Sequence, residues 1–448
     1  MNFRKVSALA GVAVLAFAAC STPGATTAPT SVPSTGGTES QPPAASGSAA
    51  APSGPASADT SKGTVKLAVA LPYQGSEKAA SEPIFNGVKL AVKEAGGGAG
   101  GYAIEVPDVF DDAVNGAHDP QTGARNVTTI STDPDFVAII GPLNSSVAAA
   151  EIPITNEAQI LQCSPANTNE GLTKPEFGAL DVRKANPDKI NYVRVVTTDD
   201  NQGPAAAKYI LERLNLKNVF IIDDTETFGD GIADNFQAYL EANGGTTVDR
   251  QGVPKTTTDY APIMTAAKAK NPEAIYFGGV TATGGARILK AAIQAGLDVP
   301  YIGPDGIYDG SGATANSFLN LAGADAKNAY ATAAAVGDYP GREEFEARYQ
   351  AEYGSAPTGY SATGYACAQV VIAALNKANP SGDMAAVREA VRAAAVDTSV
   401  TYDSVIGSFK FDENGDTSQK IISFYAFDPA GADGKGDWVF KEQLDFAQ

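Results

Sequence analysis

The chain has few of the residues on which hydrolytic or metal chemistry depends. Its one histidine is His118, and its three cysteines are Cys20, Cys163 and Cys367. His118 is far in sequence from any serine or cysteine in a nucleophile-elbow context, so no catalytic triad is predicted. The cysteines and the histidine lack the spacing of a zinc site, and no Walker loop occurs. We therefore predict no catalytic residues, no metal site and no cofactor.

Two further patterns match chemical motifs only loosely. The glycine run at 96–101 fits GxGxxG, but it follows a helical stretch and precedes a strand, the reverse of a dinucleotide site. The acidic turn at 412–416 lacks the full ligand spacing of a calcium loop. Its Asn-Gly pair favours a hairpin between 405–411 and 421–427. Asp305 and Asp309 could act as an acid/base pair, which keeps a hydrolase open as an alternative.

Polar residues also follow predicted strands. Ser145 comes after the apolar run 136–140 and opens a predicted helix at 146–157, where its hydroxyl and nearby N–H groups can face an anion. The segment 164–168 follows the apolar pair at 160–161, at the same edge of the sheet. The alternative for Ser145 and Thr168 is helix capping and turn formation.

The elements that would position these residues alternate along the chain. Strand-like runs occupy 65–71, 104–109, 136–140, 192–196, 219–222 and 274–277, with helical patterns at 85–95, 204–214, 235–242 and 284–295 between them. Alternating strands and helices predict βαβ units on parallel sheets. Nearly 390 residues follow Thr64, which is more than one hydrophobic core usually serves, so two lobes are expected.

The N-terminus is predicted to direct export. Arg4 and Lys5 precede an apolar run at 6–19 that is too short for a mature membrane span, so residues 1–19 form a predicted signal peptide. The small residues before Cys20 resemble the lipobox of bacterial lipoproteins, which predicts lipidation of Cys20; ordinary cleavage with an incidental cysteine is the alternative. Residues 20–63, rich in Ser, Thr, Pro, Ala and Gly, are predicted to be a disordered tether. The formal charge of −19 argues against nucleic acid or an anionic membrane surface as a partner.

Four segments occur in a characteristic order: Gly-Pro-Leu-Asn-Ser-Ser at 141–146, Ser-Pro-Ala-Asn-Thr at 164–168, a Gln-Gly-Pro-Ala stretch at 202–210, and Ile-Gly-Pro-Asp-Gly at 302–306. Together they resemble the leucine/isoleucine/valine-type periplasmic binding proteins of ABC transporters. The resemblance covers about 65–427. It implies two Rossmann-like lobes with parallel sheets flanked by helices, joined by three hinge crossings and closing on an amino acid.

The resemblance assigns roles to individual residues. Thr168 would contact the ligand's carboxylate and ammonium, and the Ala166 carbonyl its ammonium. The anion expected at Ser145 would then be the same carboxylate. Asp305 stands where the family usually has a glutamate that pairs with the ammonium across the cleft. The family's pocket tyrosines align with Ala80, Phe228 and Val280. These three residues complete the set predicted to bind the ligand. Tyr73 or Tyr308 could refill the space that the lost tyrosine rings leave.

The predicted limits are 64–198 plus 331–402 for lobe 1 and 199–330 plus 403–448 for lobe 2. Cys163 and Cys367 both fall in lobe 1, and an exported protein can keep a disulfide between them, or two buried thiols.

We expect a monomer, anchored by lipid to the outer face of the cytoplasmic membrane, that delivers a branched-chain or related amino acid to an ABC permease. The alternatives are a ligand-sensing receptor domain of the same fold, or binding of an amide or carboxylate that is not an amino acid.

Overall fold

The computed structural model describes residues 57–446, in which helices pack on two separate sheets. The strands are β1 (Thr64–Leu71), β2 (Gly98–Ala99), β3 (Tyr102–Glu105), β4 (Phe110–Asp111), β5 (Ala113–Val114), β6 (Ala117–His118), β7 (Phe136–Ile140), β8 (Leu161–Ser164), β9 (Tyr192–Arg194), β10 (Asn218–Asp223), β11 (Thr246–Gly252), β12 (Ala274–Gly278), β13 (Tyr301–Gly303), β14 (Ala329–Ala333), β15 (Tyr402–Ser404), β16 (Gly407–Phe409), β17 (Ile421–Asp428) and β18 (Asp437–Asp445).

The helices alternate with these strands for most of the chain. They are α1 (Lys78–Glu94), α2 (Pro120–Thr132), α3 (Ser145–Ala158), α4 (Ala179–Val182), α5 (Asp199–Glu212), α6 (Thr227–Ala242), α7 (Ala261–Lys270), α8 (Gly285–Gln294), α9 (Phe318–Ala322), α10 (Arg342–Tyr353), α11 (Gly359–Ala378), α12 (Met384–Ala395) and α13 (Gly431–Gly434). Short 3-10 turns lie at Glu170–Leu172, Pro175–Phe177, Asp305–Ile307 and Gly323–Asn328.

Lobe 1 is built on a sheet of strand order β2-β3-β1-β7-β8-β9, with β4 beside β1. β1 pairs in parallel with β3 and β7, and β7 with β8. All five residues of β7 are buried, because helices cover both faces of a parallel sheet and a continuous apolar run is then favoured. Helix α11 returns to this lobe late in the chain, and thirteen of its residues are buried.

Lobe 2 is built on a sheet of order β11-β10-β12-β13-β14-β17-β18. Its first five strands are parallel neighbours, whereas β17 is antiparallel to both β14 and β18. Its interior contains stacked aromatic rings: Phe236 stacks on Tyr276 with centroids 3.7 Å apart, and Tyr301 stacks between Phe277 and Phe318. The predicted fold class, two α/β lobes with mainly parallel sheets, is confirmed.

Three chain crossings join the lobes, between β9 and α5, between β14 and α10, and between β16 and β17. They run side by side. The Thr197 N–H donates to the Ala334 carbonyl at 3.0 Å. The Ser423 hydroxyl donates to the Ala335 carbonyl at 2.8 Å and accepts from the Gly337 N–H at 2.7 Å. Adjacent crossings of this kind form a narrow hinge about which the lobes can rotate.

Two predicted boundaries differ from the structure. Strand β14 belongs to the lobe 2 sheet through Ala333, so the limit at 330/331 is a few residues early. The limit at 402/403 is also early, because Phe409 and Phe411 are buried in the lobe 1 core. The predicted hairpin between 405–411 and 421–427 is wrong for the same reason. Its two arms lie in different lobes, and pairing is confined to the turn itself, where Phe411 bridges to Thr417 and the Ser418 N–H donates to the Lys410 carbonyl at 2.8 Å.

The structure contains the disulfide bond between Cys163 and Cys367 that the sequence left open. It joins β8 of the lobe 1 sheet to α11. The predicted signal peptide, Cys20 and most of the predicted tether lie outside the described residues. Within 57–446, no helix has the length and apolar character needed to cross a membrane.

Candidate functional site

A cavity lies between the two lobes, and the space inside it together with the solvent at its mouth measures about 460 Å³. Lobe 1 and α11 supply Glu77, Ala80, Leu143, Asn144, Ser145, Ala166, Thr168 and Tyr360, and lobe 2 supplies Phe228, Val280, Thr281, Asp305, Gly306 and Asp309. All seven residues predicted to contact a ligand are on these walls.

The lobe 1 wall consists of the loops that follow β7 and β8, and side chains tie these two loops together. The Ser164 hydroxyl accepts from the Asn167 N–H at 2.8 Å and from the Ala166 N–H at 3.2 Å, which bends the second loop. The Asn167 amide then donates to the Leu143 carbonyl in the first loop at 2.8 Å. Ser145 and Thr168 are therefore held on one wall, at the carboxyl ends of neighbouring parallel strands.

The buried Arg194 supports this wall from behind. Its guanidinium donates to the Asn169 carbonyl at 2.7 Å and to the Asn167 carbonyl at 3.2 Å. It also pairs with Asp416 at 2.6 Å, and both side chains are almost fully buried. Asp416 belongs to the acidic turn at 412–416, which was compared above with a calcium loop. Its charged partner is the Arg194 guanidinium. Across residues 57–446, no three His, Cys, Asp or Glu side chains are grouped to hold a metal ion.

One end of the cavity is suited to an anion. Ser145 is the first residue of α3, a 14-residue helix whose N-terminal N–H groups carry partial positive charge. Thr168 is only 1 % exposed, and its side chain lies beside the buried carboxyl group of Asp199, whose pKa burial raises well above its usual value. The Thr168 hydroxyl lines the cavity, where it can also donate to a ligand. The two groups together can hold a carboxylate.

Asp305 faces this end from lobe 2, in the turn after β13. Its carboxylate accepts from the Gln202 amide at 3.1 Å and from the Tyr360 hydroxyl at 3.1 Å. Burial raises the pKa of Asp305 to about 6, and these hydrogen bonds partly oppose the rise. A Cβ at Gly306 would lie 2.4 Å from the Gly279 carbonyl oxygen. Glycine there lets the turn lie against the loop that carries Val280.

The apolar part of the wall is formed by small side chains and one aromatic ring. Ala80 and Val280 stand where the resemblance placed tyrosines, and Phe228 keeps its ring. Neither suggested replacement lines this cavity. Tyr308 stacks on Tyr425 with centroids 4.1 Å apart and borders a separate cavity, and Tyr73 packs edge-on against Phe85.

Sequence reasoning missed five polar or aromatic lining residues: Glu77, Asn144, Thr281, Asp309 and Tyr360. Asp309 was noted only as a possible catalytic acid. Asn144 lies inside the motif at 141–146, and its position directly before Ser145 could have identified it as a lining residue. Glu77 and Tyr360 come from the starts of α1 and α11, far from any motif, so only the folded chain brings them to the cavity.

The single histidine has a structural role beside the cavity. His118 Nδ1 contacts Glu77 Oε1 at 2.8 Å within lobe 1, and its Nε2 lies 3.7 Å from the Glu226 carboxylate of lobe 2. Lys255 pairs with the same Glu226 at 3.1 Å. Burial alone would lower the pKa of His118, but the charge of Glu77 and the contacts with both carboxylates raise it to about 10. The imidazolium is therefore charged at neutral pH and bridges the lobes.

Known proteins share this architecture. The model of a family described as periplasmic binding protein matches residues 64–432. A Leu/Ile/Val-binding protein of Escherichia coli is 28% identical over 367 residues, 81% of this chain and 90% of that protein. A leucine binding protein, LivK, from Thermotoga maritima superposes with a TM-score of 0.72 at 23% identity, covering 86% of this chain and 99% of its own.

A third relative was solved with a different ligand. It is a solute binding protein of an ABC transporter from Rhodopseudomonas palustris, in complex with 3,4-dihydroxybenzoic acid. It superposes with a TM-score of 0.68 at 22% identity and covers 85% of this chain and 97% of its own. The resemblance to Leu/Ile/Val-type proteins that the motifs predicted is confirmed, and the family model spans most of the chain. The chain belongs to the periplasmic binding protein family.

Proposed function

We propose that the protein is an extracytoplasmic substrate-binding lipoprotein of an ABC transporter, that it closes its two lobes on an amino acid, and that it delivers this ligand to a membrane permease. Its role in this proposal is binding without catalysis. The lobes would close around the ligand, and the lipid on Cys20 would keep the protein near the membrane. Residues 64–198 with 331–402, and 199–330 with 403–448, corrected at the crossings as above, are the proposed moving units.

The observation that carries the proposal is the opposition of two polar ends across one cavity. Ser145 and the start of α3, with the Thr168 hydroxyl, can hold a carboxylate. Asp305, on the opposite lobe, can pair with an ammonium. An α-amino acid carries both groups on one carbon atom, so a single small ligand satisfies both lobes when they close. Relatives named for leucine, isoleucine and valine support this ligand class.

A carboxylate without an ammonium is the second candidate, because one relative was solved with 3,4-dihydroxybenzoic acid. The residues that line the cavity include no Lys or Arg, and they include the carboxylates of Glu77, Asp305 and Asp309. An anion with no positive group would bring a further negative charge beside these acids, at a high electrostatic cost. The charge distribution therefore favours a zwitterion.

Calorimetric titration tests the proposal on protein stripped of bound ligand by reversible unfolding. We expect at least one of the twenty common amino acids to bind with micromolar or tighter affinity. Its decarboxylated amine and its deaminated acid should each bind at least about 100-fold more weakly, because each leaves one polar end of the cavity unpaired. Tight binding of 3,4-dihydroxybenzoate with no binding of any amino acid would contradict the proposal.

The anchor and the delivery step have separate tests. Exported protein should carry a diacylglyceryl thioether on Cys20, seen as a mass increase on the N-terminal peptide, and Cys20→Ala should release the protein from membranes. An unmodified N-terminal peptide in membrane-associated protein would exclude the anchor. Cells that lack the protein should take up the ligand more slowly; unchanged uptake would favour a sensing role.

A further inference from the structure

One of the three carboxylates that line the cavity has no positively charged partner on the cavity wall. Of the three carboxylates, Glu77 has its charge balanced by His118. The His118 ring contacts one Glu77 oxygen through Nδ1 at 2.8 Å, and its backbone N–H donates to the other at 2.6 Å. Asp305 lies opposite the carboxylate-binding end and serves the α-ammonium in the function proposed above. Asp309, four residues further on, has no cationic partner among the residues that line the cavity. This carboxylate is left for another part of the ligand.

The surroundings of Asp309 make an unmatched charge costly. The residue is only 4 % exposed, and its Oδ1 accepts from the Phe318 N–H at 2.8 Å. Burial raises the pKa of Asp309 to about 7, hydrogen bonds from Phe318 and Thr281 oppose the rise, and the negative charge of Glu77 adds to it. A buried carboxylate in this state is stabilised by any cation that enters the cavity.

Asn144 provides an independent observation on the opposite lobe. It lines the cavity, is 6 % exposed, and donates its amide nitrogen to Glu77 at 2.7 Å. That bond sets the orientation of the amide, because Glu77 is an acceptor only. The Asn144 amide oxygen is then a buried acceptor, and no donor reaches it from the described residues. An unpartnered buried acceptor favours a ligand that brings a donor.

The apolar wall that lies between the polar groups of the cavity carries mostly small side chains. Ala80 and Val280 are small, and Leu143, Val280 and Phe228 form an apolar lining. The methylene chain of a basic amino acid can pack along such a surface while its charged end contacts polar groups. An aliphatic branched side chain would instead leave Asp309 without a cationic partner and the Asn144 oxygen without a donor.

We propose that the ligand is a basic amino acid, and that its side-chain cation is bound by the Asp309 carboxylate together with the Asn144 amide oxygen. This inference rests on the proposed function, because it assumes that the α-carboxylate and α-ammonium of the ligand occupy the Ser145 and Asp305 ends. It replaces the branched-chain ligands of the relatives with ornithine, lysine or arginine.

Calorimetry of the stripped full-length protein with lysine, ornithine, arginine, glutamine and norleucine tests this inference. Norleucine keeps the length of lysine but ends in a methyl group. We expect the best basic amino acid to bind at least about 100-fold more tightly than norleucine or glutamine, since only it pairs with the buried carboxylate. Norleucine, leucine or glutamine binding as tightly as every basic amino acid would overturn the inference and leave the proposed function standing. No binding of any amino acid to folded protein would overturn both.

The variant Asp309→Asn separates ligand contact from a structural role. It should weaken lysine binding about 100-fold and change norleucine binding by less than about threefold, because only the charge is removed. Asp298→Asn, an exposed change on the same lobe, should alter neither affinity. Equal losses for lysine and norleucine in Asp309→Asn would show a structural effect and overturn the assignment.

The pH dependence gives a second readout. A cation binds the ionised form of Asp309, so the preference of the wild type for lysine over norleucine should rise about tenfold per pH unit below pH 7 and level off above it. Asp305 affects both ligands equally and cancels from this ratio. In Asp309→Asn the ratio should not change with pH between 5 and 8; a ratio that still rises would place the titrating group elsewhere.

Discussion

Asp305 tests whether the cavity binds an ammonium. An ammonium enclosed between the lobes loses its hydration, and the opposing carboxylate compensates that loss. Asp305→Asn removes the charge and keeps the shape, so binding of the identified amino acid should weaken by about 3 kcal/mol or more, on the order of 100-fold. Calorimetry with circular dichroism as the folding check measures this. Near-native affinity in a folded variant would exclude a zwitterion held at this position.

Ser145→Ala is the matched comparison at the other end of the cavity. It removes one hydroxyl but leaves the N–H groups of α3 facing the ligand carboxylate. We expect a loss of about 1 to 2 kcal/mol, close to the usual magnitude for one hydrogen bond. The order of the two effects is the informative result. A larger loss for Ser145→Ala than for Asp305→Asn would place the dominant charge contact on lobe 1.

At the scale of elements, the disulfide fastens α11 to the lobe 1 sheet. Cys163 and Cys367 are fully buried and 204 residues apart, so the closed loop contains the parallel strands of lobe 2 and the first two crossings. Closing a loop of this length restricts the unfolded chain, and stabilisation of about 2 to 5 kcal/mol is expected. Urea unfolding of the oxidised and the reduced wild type should differ by this amount. Coincident curves, with both thiols shown free after reduction, would contradict it.

The helices and strands that were predicted at their observed positions are those whose own residues show a clear apolar and polar pattern. Helix α3 was predicted at 146–157 and found at Ser145–Ala158, and β7 was predicted at its observed limits, because a buried parallel strand followed by a helix start has a clear apolar and polar pattern. The arms at 405–411 and 421–427 looked like one hairpin because local periodicity carries no information about which lobe buries each arm.

The same limit applies to the binding site. Ser145, Thr168 and Asp305 follow strands inside ordered motifs, and the structure places all three on one cavity. Glu77 lies at the start of α1, early in the chain, and Tyr360 lies at the start of α11, late in the chain. They are held at the site by contacts with His118 and Asp305, which form only when the chain folds. Pairings of this kind are set by packing and have no signature in spacing.

At the scale of the whole molecule, His118 joins the two lobes by charge. It is 3 % exposed and lies between Glu77 of lobe 1 and Glu226 of lobe 2. Its pKa is raised above the unfolded value of about 6.5, so its contribution to stability is fully present below pH 6.5 and is lost as pH rises through about 10. His118→Gln should therefore lower the free energy of unfolding by about 3 kcal/mol at pH 6.5. In urea titrations the difference from wild type should shrink toward pH 10; a difference independent of pH would show that the imidazolium charge contributes nothing.

Lobe closure should appear as compaction, and the charge bridge predicts how the compaction depends on His118. The Glu226 carboxylate lies 3.7 Å from the imidazolium and 3.1 Å from Lys255 of its own lobe. Rotation of the lobes away from each other would remove the first partner and keep the second. Small-angle scattering of the wild type should show a smaller radius of gyration at saturating amino acid than without it. His118→Gln, which loses the interlobe charge contact, should need about tenfold more ligand to reach the compact state, a change of about 1.4 kcal/mol in the closing equilibrium. Arg213→Gln, which breaks an exposed ion pair with Glu442 inside lobe 2, should behave like the wild type. An unchanged radius at saturating ligand would contradict closure, and equal ligand requirements for His118→Gln and wild type would show that the bridge between the lobes does not favour the closed state.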